Sequence, residues 1–587
     1  MDAYLLDKGA FELRDTDGLT RVSARFNDEQ LLVTIEGAKE RLALRLIPLA
    51  GTPQVTRVVV NARASVEIAP GESLKSHSNA WTRLSDGATL QRYVNLDELN
   101  RKWWTTFWSH TYTDWSQIEP PYSNGEGSIH ALAVDYRRFQ SEMQLECFKL
   151  ERDAIREYSP DTPITTNMMG TYPELDYRAW AREVDVVSWD CYPNPSDAPA
   201  EIAFLHDLNR GLRDGQPFLL MEQTPSSANW QEYNALKRPG VLRLWSYLAV
   251  AHGADAVMYF QWRRSRGECE KMHGAVIEHS RRSDTRVFRE VQQLGRELAT
   301  LGNRTLGGVT RADVALLFDW QNWWAMDASI GPVRDKRYVP VARQHYAAFW
   351  RRNIPVDIVF SDSDFSRYRL LVAPMLYMLK PGVAERVAEF VRQGGTFVTT
   401  YFSGIVDEND LACEQGYPGP LREVLGIWNE ELDALYPDQK NSIVFTDSGE
   451  TYICGRLCAI VRPEGASVLA TYGSDFYAGT PAVTRHSYGS GQAYYLASEG
   501  EARFLDDFYT RLLAEQHIQP PLVVPSGVEV TSRQTSRETL LFVLNHQPAP
   551  AQVTLPTSKR YYNLLNGQEV ADTLPLEGYG VAILAEA

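Results

Sequence analysis

The hydrophobic and polar positions along the chain fall into four zones with different periodicities. Up to about residue 85, short β-branched runs such as TRVSARF, QLLVTIEG and VTRVVVNA partly alternate with polar residues and are separated by turn-forming stretches. No helix-like segment of useful length separates these runs. The pattern therefore predicts an antiparallel β segment over residues 1–88 instead of strand–helix–strand units.

Between residues 89 and 306, strand-like apolar runs alternate with longer helix-like segments. The strand candidates are PITTNMMG, DVVSWDCYP, PFLLMEQTP and ADAVMYFQW. A helix candidate between the last two has Pro239 near its start and Gly253 just past its end, where these residues are favoured. This order predicts a parallel sheet, and in a β/α barrel the C-terminal strand ends carry the chemistry. The polar residues that end the four candidate strands are Asn167, Asp190, Glu222 and Gln261.

Residues 307–521 also alternate between strands and helices. VALLFDW, YRLLVAPML and GTFVTTYF are typical of buried strands, and the whole pattern predicts a doubly wound open sheet. The segment PGVAERVAEFVRQGG predicts a helix that stops at two glycines. Its apolar face consists of Val383, Val387, Phe390 and Val391. Residues 522–587 contain short strands separated by turns and predict a small β-sandwich.

Composition and charge exclude several classes of protein. Of the 587 residues, 44% are hydrophobic and 23% charged, which is typical of globular domains. The net charge of −16 argues against a nucleic-acid binder, which would need a basic face. No apolar run reaches the roughly 18 residues of a membrane span, and the first residues show no secretory signal. We therefore expect a cytoplasmic protein.

The six cysteines are too few for a disulfide scaffold, so reduced thiols are expected. Cys454 and Cys458 have no second close pair that would complete a zinc site, and we expect no bound metal.

Four side chains near the strand ends are candidates for chemistry. Glu222 ends an apolar strand, where burial of a carboxylate costs roughly several kcal/mol unless hydrogen bonds or a cation compensate. It is therefore either a functional carboxylate or the partner of an arginine from a neighbouring loop. Trp230 follows eight residues later, and Glu270 and His273 lie beyond the fourth strand. The last two could hold sugar hydroxyls or a metal, although two ligands alone do not make a metal site.

Taken together, these segments resemble family 42 of the glycoside hydrolases, the β-galactosidases. The resemblance runs from about residue 90 to the C-terminus and rests on long stretches, among them LNRKWWTTFWSHTYTDWSQIEPP, QPFLLMEQTPSSANWQEYNALKRPG and GECEKMHGAVIEH. It implies an α/β multidomain protein with a TIM-type β/α barrel portion, a flavodoxin-like trimerisation domain and a C-terminal β-sandwich. The implied domains, with the N-terminal antiparallel β segment in front, are 1–88, 89–306, 307–521 and 522–587.

The resemblance also implies a role for each candidate residue. Glu222 matches the catalytic nucleophile, and Trp230 matches the aromatic residue that shapes the galactose subsite. Glu270 and His273 match the pair that bonds the galactose hydroxyls. The implied activity is retaining hydrolysis of terminal β-D-galactosyl residues by a homotrimer, with a β-galactoside as substrate and no cofactor, nucleic acid or membrane as partner.

The chain departs from the family at the acid/base residue. The family places this glutamate in an Asn-Glu pair in the first half of the barrel, and both the pair and that half are missing or replaced here. The pair Asn429–Glu430 falls in the flavodoxin-like domain and is rejected as the acid. An impaired hydrolase is therefore expected, unless residues 1–88 or a partner supply the acid. A non-catalytic sugar-binding or scaffolding homologue is the alternative.

Two further motifs belong to the flavodoxin-like domain. Ser403 follows a buried strand, but no G-x-S-x-G surrounds it, so a structural role is expected. The segment FDWQNWWA contains three tryptophans that the resemblance assigns to the wall of a neighbouring subunit's active-site funnel, with a core position as the alternative. These residues are Trp320, Trp323 and Trp324.

Overall fold

The computed structural model describes residues 92–93, 95–121 and 127–587 and, between residues 1 and 91, the backbone of nine short strands. The chain forms two compact units, Met1–Glu146 and Cys147–Ala587. Within the described part of the chain, no helix is long and apolar enough to cross a membrane.

The described backbone between residues 1 and 91 forms nine short strands, and the antiparallel segment over residues 1–88 stays a prediction. Strands β2–β4, β6–β7 and β8–β9 pair antiparallel, whereas β1 and β5 pair parallel. The strands are β1 (Asp2–Tyr4), β2 (Phe11–Arg14), β3 (Thr20–Asn27), β4 (Gln30–Gly37), β5 (Arg45–Ile47), β6 (Arg57–Val60), β7 (Ala64–Glu67), β8 (Trp81–Thr82) and β9 (Thr89–Leu90). Their side chains lie outside the described residues, and so does any carboxylate that they contribute.

The first unit continues with short helices around an apolar cluster. It contains α1 (Leu96–Lys102), two 3-10 turns (Phe107–Ser109 and Trp115–Gln117) and the beginning of α2 (His130–Tyr158). Asn95 caps α1 by accepting a hydrogen bond from the backbone N–H of Glu98. The buried Asp135 accepts hydrogen bonds from the Tyr93 hydroxyl (2.6 Å) and the Trp103 indole (2.9 Å), so its polar atoms are satisfied inside this cluster.

The second unit begins with the predicted parallel sheet, in the order β10–β11–β12–β13. The four strands coincide with the four candidate runs, and the helices between them give half of a β/α barrel. The strands are β10 (Asn167–Met168), β11 (Ser188–Asp190), β12 (Phe218–Glu222) and β13 (Ala254–Val257). The helices are α3 (Tyr177–Ala181), α4 (Pro199–Gly211), α5 (Val241–Ala251) and α6 (Arg286–Leu301).

An eleven-stranded mixed sheet follows. Its parallel part has the order β15–β14–β16–β18–β25, and its central strands are completely buried, as predicted for VALLFDW, YRLLVAPML and GTFVTTYF. The parallel strands are β14 (Val314–Leu317), β15 (Val356–Val359), β16 (Leu370–Ala373), β18 (Thr396–Thr400) and β25 (Gly491–Leu496). The helices are α7 (Trp320–Ala328), α8 (Tyr338–Trp350), α9 (Val383–Arg392), α10 (Arg422–Leu425) and α11 (Ala502–Glu515), with a 3-10 turn at Gly419–Leu421. The predicted apolar face of α9 is buried.

The doubly wound prediction accounts only for that parallel part, because the sheet continues antiparallel through β24, β23, β21, β22 and β20. Hairpin loops join β21 to β22, β23 to β24 and β24 to β25, and such loops permit only antiparallel pairing. The strands are β20 (Ile427–Ala434), β21 (Asn441–Phe445), β22 (Thr451–Pro463), β23 (Ser467–Tyr472), β24 (Pro481–Tyr488) and β26 (Ser498–Gly500), which pairs with β22. A separate parallel pair consists of β17 (Met378–Leu379) and β19 (Val406–Asp407).

The C-terminal strands form the predicted small sandwich. A five-stranded sheet in the order β27–β28–β33–β30–β31 packs with the pair β29–β32 around one apolar cluster. The strands are β27 (Val528–Gln534), β28 (Thr539–Asn545), β29 (Ala551–Thr554), β30 (Tyr561–Asn563), β31 (Gln568–Val570), β32 (Thr573–Leu576) and β33 (Val581–Glu586).

Candidate active site

Glu222 is the last residue of β12 and lies half-buried at the C-terminal edge of the half-barrel. The Tyr192 hydroxyl donates to Glu222 Oε2 at 2.5 Å, and the Asn167 amide donates to Oε1 at 3.2 Å. Both donors are neutral, and among the described residues no lysine or arginine forms an ion pair with this carboxylate. Of the two interpretations of the sequence, the structure therefore favours a functional carboxylate over a salt-bridge partner.

Asp190 ends the adjacent strand β11 and is the direct Cα partner of Glu222 in the sheet. The same Asn167 amide that contacts Glu222 lies 3.2 Å and 3.1 Å from the two oxygens of Asp190. Burial and, to a smaller degree, the charge of Glu222 raise the pKa of Asp190 from 3.8 to about 6, against the opposing effect of the Asn167 hydrogen bond. The sequence pattern indicates Asn167 and Asp190 only as polar strand ends and predicts no role for either.

Tyr192 connects the separate parts of the site. Besides its bond to Glu222, its ring meets Trp230 at 5.6 Å and His273 at 5.7 Å between centroids, edge-on in both cases. Burial and the bond to Glu222 raise the pKa of its hydroxyl well above the usual value, so the group remains a donor. Glu270 is also close enough for its charge to act on this hydroxyl. No sequence pattern predicts a role for Tyr192, and its position in DVVSWDCYP, two residues after Asp190, is the one signal that points to it.

The predicted substrate-binding residues gather around this tyrosine. Trp230 is 61% exposed and offers a free aromatic face. His273 is buried, with Nδ1 3.0 Å from the carbonyl oxygen of Gly274 and its ring 5.2 Å from that of Phe260. Glu270 is half-buried on the turn before it, where its carbonyl accepts from the His273 N–H at 2.9 Å. The structure thus places Glu222, Trp230 and His273 in contact with Tyr192, and Glu270 near enough for its charge to act on the Tyr192 hydroxyl.

A buried lysine supports the segment that follows Glu222. Lys237 Nζ donates to the Gln223 side chain at 3.2 Å and to the Thr224 carbonyl, and it lies 4.9 Å from the centre of the Trp245 ring. Burial lowers the pKa of Lys237 to about 7. These contacts fix the backbone directly after the candidate nucleophile.

Gly274 joins the loop after Glu222 to the loop of His273. Its N–H donates to the Ser227 carbonyl at 2.8 Å, and a Cβ on Gly274 would lie only 2.8 Å from that of Ser226. Two residues after Gly274, the Val276 N–H donates to the Gln261 carbonyl at 3.0 Å and ties this loop to the segment after β13. The loops carrying Glu222 and His273 are therefore packed too closely for any side chain at Gly274.

Glu430, Ser403 and the pair Cys454 and Cys458, for which the sequence predicts no catalytic or metal-binding role, lie away from the site. Glu430 lies on β20 and pairs with Arg462 at 2.5 Å on the surface. Ser403 is buried, and its hydroxyl bonds the Leu376 N–H and the Thr399 hydroxyl, both at 2.9 Å. Cys454 and Cys458 are buried free thiols. No cluster that could hold a metal occurs among the residues that the structure describes.

The predicted role of the three tryptophans of FDWQNWWA is wrong for two of them. Trp320 and Trp324 are each 1% exposed within the single chain. Their indole N–H groups donate to the carbonyls of Tyr172 (2.8 Å) and Pro173 (2.5 Å). Two side chains enclosed by their own subunit cannot line a neighbour's funnel, so they belong to the core. Trp323 is half-buried.

The chain matches three family models in succession. They are described as beta-galactosidase, over residues 74–301, beta-galactosidase trimerisation domain, over residues 312–519, and beta-galactosidase C-terminal domain, over residues 527–586. The beta-galactosidase BgaP of Planococcus sp. (strain L4) is 49% identical over 505 residues, which cover 84% of this chain and 75% of that protein. The beta-galactosidase bgaB of Geobacillus kaustophilus is 43% identical over 498 residues, or 84% and 74%.

Solved structures give the same result. The beta-galactosidase of Bacillus circulans sp. alkalophilus superposes with a TM-score of 0.83 at 49% identity, covering 84% of this chain and 75% of that chain. A catalytic mutant of Gan42B, a family 42 beta-galactosidase of G. stearothermophilus in which alanine replaces a glutamate, superposes with a TM-score of 0.80 at 43% identity, covering 84% and 73%. The resemblance inferred from the sequence is confirmed: the chain belongs to glycoside hydrolase family 42, the family of these β-galactosidases.

Proposed function

We propose that this chain hydrolyses terminal β-D-galactosyl residues of β-galactosides with retention of configuration, using Glu222 as the nucleophile. The observation that carries the proposal is the environment of the Glu222 carboxylate. Two neutral donors, Tyr192 and Asn167, hold its two oxygens at the open edge of the sheet. Such donors orient a carboxylate without neutralising the charge that it needs for attack.

The first step forms a bond between a Glu222 oxygen and the anomeric carbon while the glycosidic bond breaks. Water then releases galactose from the glycosyl-enzyme. The exposed face of Trp230 provides a platform for the sugar ring, and Glu270 and His273 bond its hydroxyls. Support comes from the relatives, which are named β-galactosidases, and from the catalytic glutamate of Gan42B.

Trapping of the glycosyl-enzyme tests the proposal. 2,4-Dinitrophenyl 2-deoxy-2-fluoro-β-galactoside has a leaving group that departs without protonation, so the nucleophile alone suffices. We expect mass spectrometry to find one fluorogalactosyl group on Glu222. Glu222→Ala should abolish both labelling and hydrolysis, whereas Glu201→Gln, a change at an exposed helix position, should leave both intact. An unlabelled wild type, or a label on another residue, would contradict the proposal.

The same experiment addresses the alternative of a non-catalytic sugar-binding or scaffolding homologue. That alternative requires galactose to bind while no label forms. Because the chain lacks the family's Asn-Glu pair, we expect wild-type turnover below the common enzyme level of about 10 s⁻¹.

The assembly is a second part of the proposal. The match of residues 312–519 to a trimerisation domain supports a homotrimer of 66.5 kDa subunits. Light scattering on a size-exclusion column should therefore give about three times that mass, and a monomer would contradict it. The domain boundaries at 88, 306 and 521 and the cytoplasmic location stay predictions, and limited proteolysis tests the boundaries.

A further inference from the structure

A retaining hydrolase needs a second carboxyl group near the nucleophile, and the described part of the site contains a candidate. Asp190 and Glu222 are paired residues on adjacent parallel strands, immediately after a register shift between Trp189 and Asp190. Paired residues of neighbouring strands point to the same face of a sheet. Both carboxyl groups therefore emerge at the same edge of the half-barrel, and both are half-buried.

The shared amide of Asn167 limits the distance between the two carboxyl groups. Its nitrogen lies 3.1 Å from one oxygen of Asp190 and 3.2 Å from Glu222 Oε1. The two acceptor oxygens therefore lie at most about 6.3 Å apart. Retaining glycosidases separate their two carboxyl groups by about 5–5.5 Å, whereas inverting enzymes need more room for a water molecule.

The two carboxyl groups also differ in charge environment. Burial, together with the charge of Glu222, raises the pKa of Asp190 to about 6. The other titratable groups that act on Asp190 or feel its charge are Tyr177, Cys191 and Tyr192. Burial raises the pKa of each, so they are uncharged at neutral pH. A carboxyl group with a raised pKa beside the candidate nucleophile is suited to hold the proton that acid catalysis requires.

We propose that Asp190 is the general acid and base of the hydrolysis proposed above, in place of the absent Asn-Glu pair. In the first step Glu222 attacks the anomeric carbon, and the Asp190 proton passes to the glycosidic oxygen as the aglycone leaves as an alcohol. In the second step the Asp190 carboxylate takes a proton from water, whose oxygen bonds the anomeric carbon and releases Glu222. Asp190 ends protonated and Glu222 ionised, as they began.

The test compares leaving groups in Asp190→Asn and Asp190→Ala. A dinitrophenolate leaves without a proton, whereas the alcohol of methyl β-galactoside needs one. We expect kcat/KM for the methyl galactoside to fall at least about 100-fold, the usual contribution of an acid, and that for the dinitrophenyl galactoside to fall by less than about tenfold. Azide should accelerate turnover of the dinitrophenyl galactoside by Asp190→Ala and yield β-galactosyl azide. Asp214→Asn, at an exposed position, is the matched control and should change neither rate.

The pH profile gives an independent readout. Because Asp190 must be protonated in the first step, wild-type kcat/KM for the methyl galactoside should fall as the pH rises above about 6. Asp190→Asn should lose this alkaline limb. Equal losses on both substrates, no azide product and an unchanged limb would show that Asp190 only positions Asn167 and would overturn the inference.

The inference rests on the proposed function, and labelling with the fluorogalactoside separates the two. Label on Glu222 in Asp190→Asn shows that the variant is folded and that the nucleophile works, so equal losses then overturn only the role of Asp190. Absence of label in the wild type overturns the proposed function and this inference together.

Discussion

His252 lies at the centre of a buried cluster of charges that connects the half-barrel to the C-terminal sandwich. It directly follows α5, with Nδ1 2.7 Å from Asp207 Oδ1 on α4 and Nε2 2.8 Å from Glu529 Oε1 on β27. Since both ring nitrogens face carboxylate oxygens, the imidazole is doubly protonated and donates to both. The three side chains are almost completely enclosed.

The surrounding groups keep this arrangement charged. Those that face the three side chains are Arg210, Tyr346, Trp350, His206 and His546. Arg210 pairs with Asp207, whose pKa the cations hold below its usual value despite burial. Burial lowers the pKa of His206 to about 3, so it contributes no charge. His546 donates to the second oxygen of Glu529 at 2.7 Å.

The contribution of the cluster to folding stability follows from the raised pKa of His252. Burial lowers the pKa of His252, but Asp207 and Glu529 outweigh that effect and raise it from 6.5 to about 9. A rise of this size corresponds to about 3 kcal/mol of folding free energy. Because the folded pKa is the higher one, this stabilisation is fully present below pH 6.5 and is lost as the pH rises through 9.

His252→Gln tests this reasoning. A neutral amide removes the positive charge that Asp207 and Glu529 share, although Arg210 still pairs with Asp207 and His546 with Glu529, so we expect a loss of about 3 kcal/mol at pH 6. Urea unfolding followed by tryptophan fluorescence should show a marked loss for the variant at pH 6 and a smaller one at pH 9.5, where the wild type has itself weakened. His279→Gln, at an exposed position, is the control. A wild-type midpoint equal at both pH values, or a variant that matches the wild type at pH 6, would refute the argument.

Two further predictions concern the site. Tyr192→Phe removes a hydrogen bond to a charged oxygen, which is worth about 1.5–3 kcal/mol. It should therefore lower kcat/KM for the dinitrophenyl galactoside about 10- to 150-fold. A change below about threefold, or an equal loss in the exposed control Tyr233→Phe, would contradict the role of Tyr192. Trp230→Ala removes an exposed ring whose cover by a sugar is worth about 1.5 kcal/mol, and it should raise KM about tenfold with little change in kcat. An unchanged KM would show that the sugar does not lie on Trp230.

Local patterns predicted the strands and helices that carry the site. The four apolar runs of the half-barrel and the apolar face of α9 are continuous in sequence, and each ends at a residue of distinct chemistry such as Glu222 or Gly394. The contacts of Tyr192 and Asn167 with Glu222 could not be predicted in the same way. They join residues 30 and 55 positions apart, and only the strand register brings them within hydrogen-bonding distance.

The tryptophans of α7 show a different limit. The helix has aromatic residues on several sides, so its sequence does not indicate which side packs inward. The carbonyls of Tyr172 and Pro173, which accept the indole protons of Trp320 and Trp324, come from a loop almost 150 residues earlier in the chain. The antiparallel extension of the mixed sheet was missed because strand runs predict pairing partners less well than they predict strands.

Asp190 and His252 lose their protons at different pH values, so an effect on activity can be told apart from an effect on stability. Loss of the Asp190 proton begins near pH 6, whereas loss of the His252 proton requires a pH near 9. Between these values His252 keeps most of its proton, so we expect the fold to weaken only gradually while the Asp190 proton is lost. An activity limb near pH 6 with a constant urea midpoint would therefore belong to the site. A limb that appears only as the midpoint falls would instead belong to the fold, and Asp190 would then lose its support as the acid.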